Sequence, residues 1–164
     1  RLMGGKKKFV DKLQKVFDEG LYDPANEPDI AYPYLFSYFK GEEWRTQKET
    51  QRLLDKYFTT KPDGIPGNDD TGTMSSWAIF NMIGFYPDCP GLPEYTLTTP
   101  VFDKVTIRLD PKWYKEKELV IESNRAQPGT LYINKVLLNG KKFNKYRITH
   151  DELVHGQHIY FDLK

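Results

Sequence analysis

Through the first half of the chain, apolar residues recur every three or four positions. Phe9, Leu13, Val16 and Phe17 mark one face of an amphipathic helix over residues 6–19, which Gly20 ends. Pro28 can open a second helix, with Tyr34, Leu35, Tyr38 and Phe39 on its apolar side up to Gly41 and Pro33 in or just before it. A third is predicted over residues 42–58, burying Trp44, Leu53, Leu54, Tyr57 and Phe58. A fourth starts near Thr73 and runs through Trp77, Phe80 and Ile83 to Gly84. Beyond Tyr95 the period drops to two. Val105, Ile107 and Leu109, then Leu119 and Ile121, then Ile159, Phe161 and Leu163 alternate as strands do. Leu131 and Ile133, then Val136 and Leu138, lead into Asn139-Gly140, a two-residue hairpin signal. The prediction is an α+β chain. Residues 1–86 are helical, residues 87–94 form a Pro-rich linker, and residues 95–164 form an antiparallel β region of five to seven strands.

Composition narrows the function classes. The 164 residues are 38% hydrophobic and 15% aromatic, enough for a core and unlike a disordered chain. Twenty-four basic residues face 23 acidic ones, so there is no broad basic footprint for nucleic acid or an anionic membrane. The one basic run, Lys6-Lys7-Lys8, reads as a solvated helix face. No apolar run is long enough to span a bilayer. Cys89 is the sole cysteine and has no internal disulfide partner. The chain opens at Arg1-Leu2 without an initiating Met, so the true N-terminus is expected to lie upstream, and the lack of a leader decides nothing.

Two stretches carry candidate chemistry. Residues 62–72, Pro-Asp-Gly-Ile-Pro-Gly-Asn-Asp-Asp-Thr-Gly, pack three glycines, two prolines and adjacent carboxylates directly before a helix. One reading is helix capping by Asp70 or Thr71. The other is a rigid loop holding a carboxylate against a ligand or water. Residues 23–29, Asp-Pro-Ala-Asn-Glu-Pro-Asp, place four oxygen-bearing side chains at a helix entrance. They can ligate a hard cation such as calcium, or simply cap the helix and complement its dipole. His150, His155 and His158 lack zinc-helix spacing. Ser75 and Ser76 lack a nucleophile elbow, and no G-x-G-x-x-G is present.

Several blocks, in one order along nearly the whole chain, resemble glycoside hydrolase family 92. They are Met3-Gly4-Gly5 with Lys8-Phe9 and Leu13, Asn26-Glu27-Pro28, Pro33-Tyr34-Leu35, Trp44-x-Thr46-Gln47, Gly84-Phe85-Tyr86-Pro87, Pro100-x-Phe102-Asp103-Lys104-Val105 and Leu138-Asn139-Gly140-Lys141. The most specific is Asp63-Gly64-Ile65-Pro66-Gly67-Asn68-Asp69-Asp70-x-Gly72-x-Met74-Ser75-x-Trp77.

The resemblance implies an exo-acting, inverting α-mannosidase that is calcium-dependent. It also implies that the helices here are the last of an (α/α)6 catalytic barrel behind an N-terminal β-sandwich. Asp70 then matches the general base, with Asp69 as the second candidate for that role. Asn68 stands where many relatives have a further carboxylate and becomes a sugar or water partner. Asn26 and Glu27 map to the segment near the calcium. The family's general acid is a glutamate in an upstream Glu-Gly-Asn-x-x-Gln-type segment that does not occur in these 164 residues. The implied partners are a mannose-containing glycan and the upstream remainder of the enzyme. The implied location, inferred from the substrate class, is extracytoplasmic. The alternative is an inactive or structural piece, or a carbohydrate-binding one, lacking the acid half of the site. A fragment cut from a barrel is also expected to show an apolar face that includes parts of Phe9, Trp44 or Phe80.

Overall fold

The computed structural model describes residues 2–127 and 129–164 and gives an α+β chain. It divides into two compact units, residues 1–78 and 79–164, with the division inside one helix, α3 (Thr73–Ile83).

In the first unit, α1 (Lys6–Asp18) buries Leu13 and Phe17 of the predicted stripe, leaves Phe9 and Val16 half-buried, and completes its buried face with Val10 and a glutamine, Gln14. The glutamine has a partner. Gln14 Nε2 donates to Glu49 at 2.9 Å, from α1 to α2 (Glu43–Tyr57). Glu49 is fully buried, and Arg52 Nε sits 2.7 Å from its other oxygen. A buried carboxylate is tolerable only with such partners. Phe17 stacks on Tyr22 at 5.0 Å and tilts against Phe36 at 5.9 Å, making an aromatic core.

The predicted second helix takes a different form. Glu27–Tyr38 is a 3-10 segment, not an α-helix reaching Gly41. Pro33 inside it has no N–H to return to residue 29, and its ring would clash with that carbonyl in an α-helix. The segment is held by tertiary contacts instead. Tyr34 and Phe36 are fully buried, and Thr46 Oγ1 of α2 donates to the Pro33 carbonyl at 2.8 Å. Of the apolar face expected on this unit, Trp44 is exposed and Phe9 half-buried, while Leu21, Tyr38 and Ile65 are exposed as well.

The second unit contains two sheets. One has strand order β1-β2-β7, from β1 (Phe85–Tyr86), β2 (Glu94–Leu97) and β7 (Arg147–Thr149). The other has order β3-β4-β8-β5-β6, from β3 (Lys104–Arg108), β4 (Glu118–Arg125), β5 (Ile133–Leu138), β6 (Lys141–Phe143) and β8 (His158–Leu163). Pairing is antiparallel except between β4 and β8, which run parallel. The last strand inserts between β4 and β5, and no local pattern announces that. Its alternation is strict: Ile159, Phe161 and Leu163 are buried and their neighbours half-exposed. The β5–β6 hairpin turns at Asn139 (φ 48°) and Gly140 (φ 73°), the two left-handed residues that its sequence predicts.

A short helix within the β half, α4 (His150–Gly156), was not expected. It carries a full capping box, with Thr149 accepting from Glu152 N–H and Glu152 accepting from Thr149 N–H. Arg147 reaches from β7 to Asp88 (3.0 Å) and Thr96 (2.9 Å), which ties the Pro-rich segment to the small sheet. Among the described residues no helix is long and apolar enough to cross a membrane.

Candidate active site

The acidic loop lies wholly in the first unit, and its glycines explain its path. Thr59 N–H donates to the Gly64 carbonyl at 2.9 Å, and Gly64 N–H donates to the Lys61 carbonyl at 3.0 Å. A Cβ on Gly64 would sit 2.1 Å from the Thr59 carbonyl oxygen, so no other residue fits there. Gly67 is left-handed (φ 66°) and lies directly on Ala25, where an added Cβ would be 2.7 Å from the Ala25 Cβ. The two oxygen-rich stretches, far apart in sequence, are therefore in contact through this Ala–Gly pair.

Beyond Gly67 the two aspartates part company. Asp69 is tied into the start of α3. Its carbonyl accepts from Gly72 and Met74 N–H at 3.1 and 3.2 Å, and its Oδ1 accepts from Ser75 N–H at 2.8 Å. The capping role considered for Asp70 or Thr71 is thus performed by Asp69. Asp70 follows with φ 47°, Thr71 with φ 60° and Gly72 with φ 92°. A left-handed conformation costs a non-glycine residue about 1–2 kcal/mol, and a β-branched one such as Thr71 is a true outlier. Strain of this kind collects at functional sites. The Asp70 carboxylate is exposed and forms no hydrogen bond or ion pair among the described residues. Asn68, two residues before it, is likewise exposed and unengaged among them. Trp77, 1% exposed, stacks on Phe58 at 5.3 Å and anchors the second turn of α3.

On the other side of the Ala–Gly contact, Asp23 is exposed and closes a local turn, its Oδ1 accepting from Ala25 N–H at 2.9 Å. Asn26 precedes the 3-10 segment in an extended conformation (φ −104°, ψ 110°), and its side chain makes no capping bond. Glu27 is exposed in the first turn. The Asp29 carboxylate accepts the Tyr32 hydroxyl, which raises the phenol above its ordinary value of 10.0. Asn26 and Glu27 therefore keep oxygen donors uncommitted among the described residues, as a hard-cation site requires. No group of three or more His, Cys, Asp or Glu fit for a metal occurs among the described residues, so any ion here would draw further oxygens from elsewhere.

The three histidines are in the second unit and serve separate partners. His150 lies between the hydroxyls of Tyr95 (2.9 Å) and Tyr114 (3.2 Å), His155 Nδ1 is 2.9 Å from the Asp151 carbonyl, and His158 Nε2 is 2.9 Å from Glu122. Two residues outside the predicted site also shape the loop. One is Ala25, whose small side chain admits Gly67. The other is Thr73, whose hydroxyl donates to the Asp70 carbonyl at 2.8 Å. A Ser or Thr three residues after a turn carbonyl is the available signal for the second.

The model of the glycosyl hydrolase family 92 catalytic domain matches residues 1–164. The chain belongs to glycosyl hydrolase family 92. A curated relative, called an uncharacterized secreted glycosidase of Arthroderma benhamiae, is 30% identical over 155 residues, covering 94% of this chain and 20% of the relative. A solved family 92 α-mannosidase of Bacteroides thetaiotaomicron superposes with TM-score 0.85 at 31% identity, over 97% of this chain and 21% of that one, and is also known in complex with mannoimidazole. An inverting family 92 mannosidase of the same organism superposes with TM-score 0.77 at 32% identity, over 98% of this chain and 21% of that one. The chain thus spans about a fifth of the length of each of these family 92 relatives.

Proposed function

We propose that this chain is the C-terminal part of an inverting, calcium-dependent exo-α-mannosidase and supplies the general-base half of its active site. One observation carries the role assignment: of two adjacent aspartates, Asp69 is committed to Ser75 N–H, while Asp70 is held left-handed with its carboxylate unengaged among the described residues. Family membership supports glycoside hydrolysis, and the solved mannosidases that share this fold support mannose as the sugar.

Inversion requires an acid on the leaving oxygen and a base that deprotonates water on the opposite ring face, typically about 6.5–9.5 Å away. Asp70 is the base in this reading. Its carboxylate, exposed and unengaged among the described residues, takes a proton from the attacking water. Asn68 offers an amide to that water or to a sugar hydroxyl. Asp69 holds the loop and does not exchange protons. Asn26 and Glu27 would hold calcium directly or through its waters, and the bound ion would fix the 2- and 3-hydroxyls of mannose. The general acid comes from a segment upstream of these 164 residues, and the isolated chain is inactive. An extracytoplasmic location accords with the secreted relative.

The test is mannose release by Asp70→Asn in the complete enzyme. An amide cannot accept the proton, so kcat falls by roughly 10²–10⁴-fold with KM changed far less. Azide should restore turnover and yield a β-linked mannosyl azide. Asp69→Asn keeps an acceptor oxygen for Ser75 N–H and should lose little activity. If Asp69→Asn is the inactive variant and Asp70→Asn turns over normally, the roles are reversed.

A further inference from the structure

We infer that Thr73 is a positioning residue for the base, an inference that rests on the assignment of Asp70 above. The left-handed conformation at Asp70 and Thr71 is unfavourable for both residues and persists only if neighbouring bonds over-determine it. Two bonds converge on the Asp70 carbonyl. Thr73 N–H reaches it at 3.3 Å, a long contact, and the Thr73 hydroxyl reaches it at 2.8 Å. Thr73 is the first residue of α3, whose next turns are anchored by Met74 and Trp77, 2% and 1% exposed. The hydroxyl therefore links the main chain of the base to a helix anchored by buried side chains. The Asp69 bonds to Gly72, Met74 and Ser75 hold the preceding peptide, so without the hydroxyl the freedom regained falls on Asp70.

The bond lies at an exposed position, so water replaces it when it is lost, and the fold should barely register the change. Catalysis should register it. Displacement of a catalytic group by about 1 Å can cost on the order of 10²-fold, and a loosened one costs less. In the complete enzyme, Thr73→Val, which keeps the shape and removes the donor, should lower kcat by about 3- to 100-fold with KM within about twofold and an unchanged melting temperature. Thr73→Ser should recover most of kcat. Should Thr73→Val not fold, Thr73→Ser against Thr73→Ala makes the same comparison. A Thr73→Val enzyme with kcat within about twofold of the parent overturns the proposal, as does a Thr73→Ser enzyme as impaired as Thr73→Val. Asp70→Asn, measured in parallel, separates the two layers. If it is inactive while Thr73→Val is normal, only the positioning role fails; if it is active, the base assignment fails and takes this inference with it.

Discussion

The contact between Gly67 and Ala25 can be broken and mended by single methyl groups. In Gly67→Ala the new Cβ would lie 2.7 Å from the Ala25 Cβ, 3.2 Å from its Cα and 3.3 Å from its carbonyl oxygen. Carbon atoms prefer about 3.5–4.0 Å, so one segment must retreat by close to 1 Å. Overpacking of this size costs about 1–3 kcal/mol, and the left-handed backbone (φ 66°) adds about 1–2 kcal/mol. Gly41→Ala is the control: its φ is 89°, but nothing lies within 4 Å of the added atom, so only the backbone cost applies. In the complete enzyme, urea unfolding should place Gly67→Ala below Gly41→Ala by about 1–3 kcal/mol, unless the loop yields. If it yields, the loss appears as a fall in kcat/KM of up to about 10²-fold and, at the proposed calcium site, as weaker binding of the ion. Ala25→Gly removes the nearest atom, so the double variant Ala25→Gly/Gly67→Ala should regain most of what Gly67→Ala loses, with a coupling of at least about 0.5 kcal/mol. If Gly67→Ala behaves as Gly41→Ala in stability, calcium affinity and turnover, the two oxygen-rich segments do not depend on each other.

Two further predictions concern the second unit. Thr149→Ala removes the capping box of α4, whose Leu153 and Val154 are buried, and should lower the unfolding free energy by about 1 kcal/mol, with Thr149→Ser nearly neutral; equal stability of the Ala and Ser variants would refute the cap's role. Hydrogen bonds from Lys104 and then His158 hold the Glu122 carboxyl below its ordinary 4.5, and those from Lys145 and Thr149 do the same for Glu152. A depressed folded-state pKa contributes stability above the unfolded-state value and loses it as pH falls through the folded one. Glu122→Gln should therefore destabilise at neutral pH and converge with the parent below the carboxylate range, and a constant difference across an acid titration would exclude linkage at this group.

Where the physics is local, the fold was legible from residues alone. Leu13 and Phe17 of the first helix, the Asn139-Gly140 turn and the alternation of Ile159, Phe161 and Leu163 all occupy the places their spacing implies, while the buried face of that helix takes in Val10 where Phe9 and Val16 were expected. The 3-10 form of Glu27–Tyr38 was half-legible. Pro33 forbids a continuous α-helix, yet only the burial of Tyr34 and Phe36 and the bond from Thr46 decide what replaces it. The Thr149-x-x-Glu152 signature of α4 was present but sat in a stretch read for its strand period. The parallel pairing of β8 with β4 was not legible at all, because strand order depends on which edges remain free once the other strands have paired. At the site, residue types pointed to the two oxygen-rich stretches. That they touch depends on one alanine opposite one glycine, and no periodicity encodes such a contact.

In the proposed assignment, one loop gives the identical side chains of Asp69 and Asp70 opposite work. Either carboxylate could cap α3 on sequence grounds, since both precede it within a turn's reach. The backbone decides between them. Once the Asp69 carbonyl accepts from Gly72 and Met74 and its carboxylate from Ser75, the helix start is satisfied and has no need of a second acid. Asp70 then enters the left-handed region with its own carbonyl turned toward Thr73, and its carboxylate is left for solvent or substrate. A capping carboxylate must stay fixed on N–H groups, whereas a base must exchange its proton with water. One residue could not do both without giving up the helix start on each turnover. Two adjacent aspartates separated by a change in the sign of φ resolve that conflict, and this is the physical reason to seek the base at Asp70.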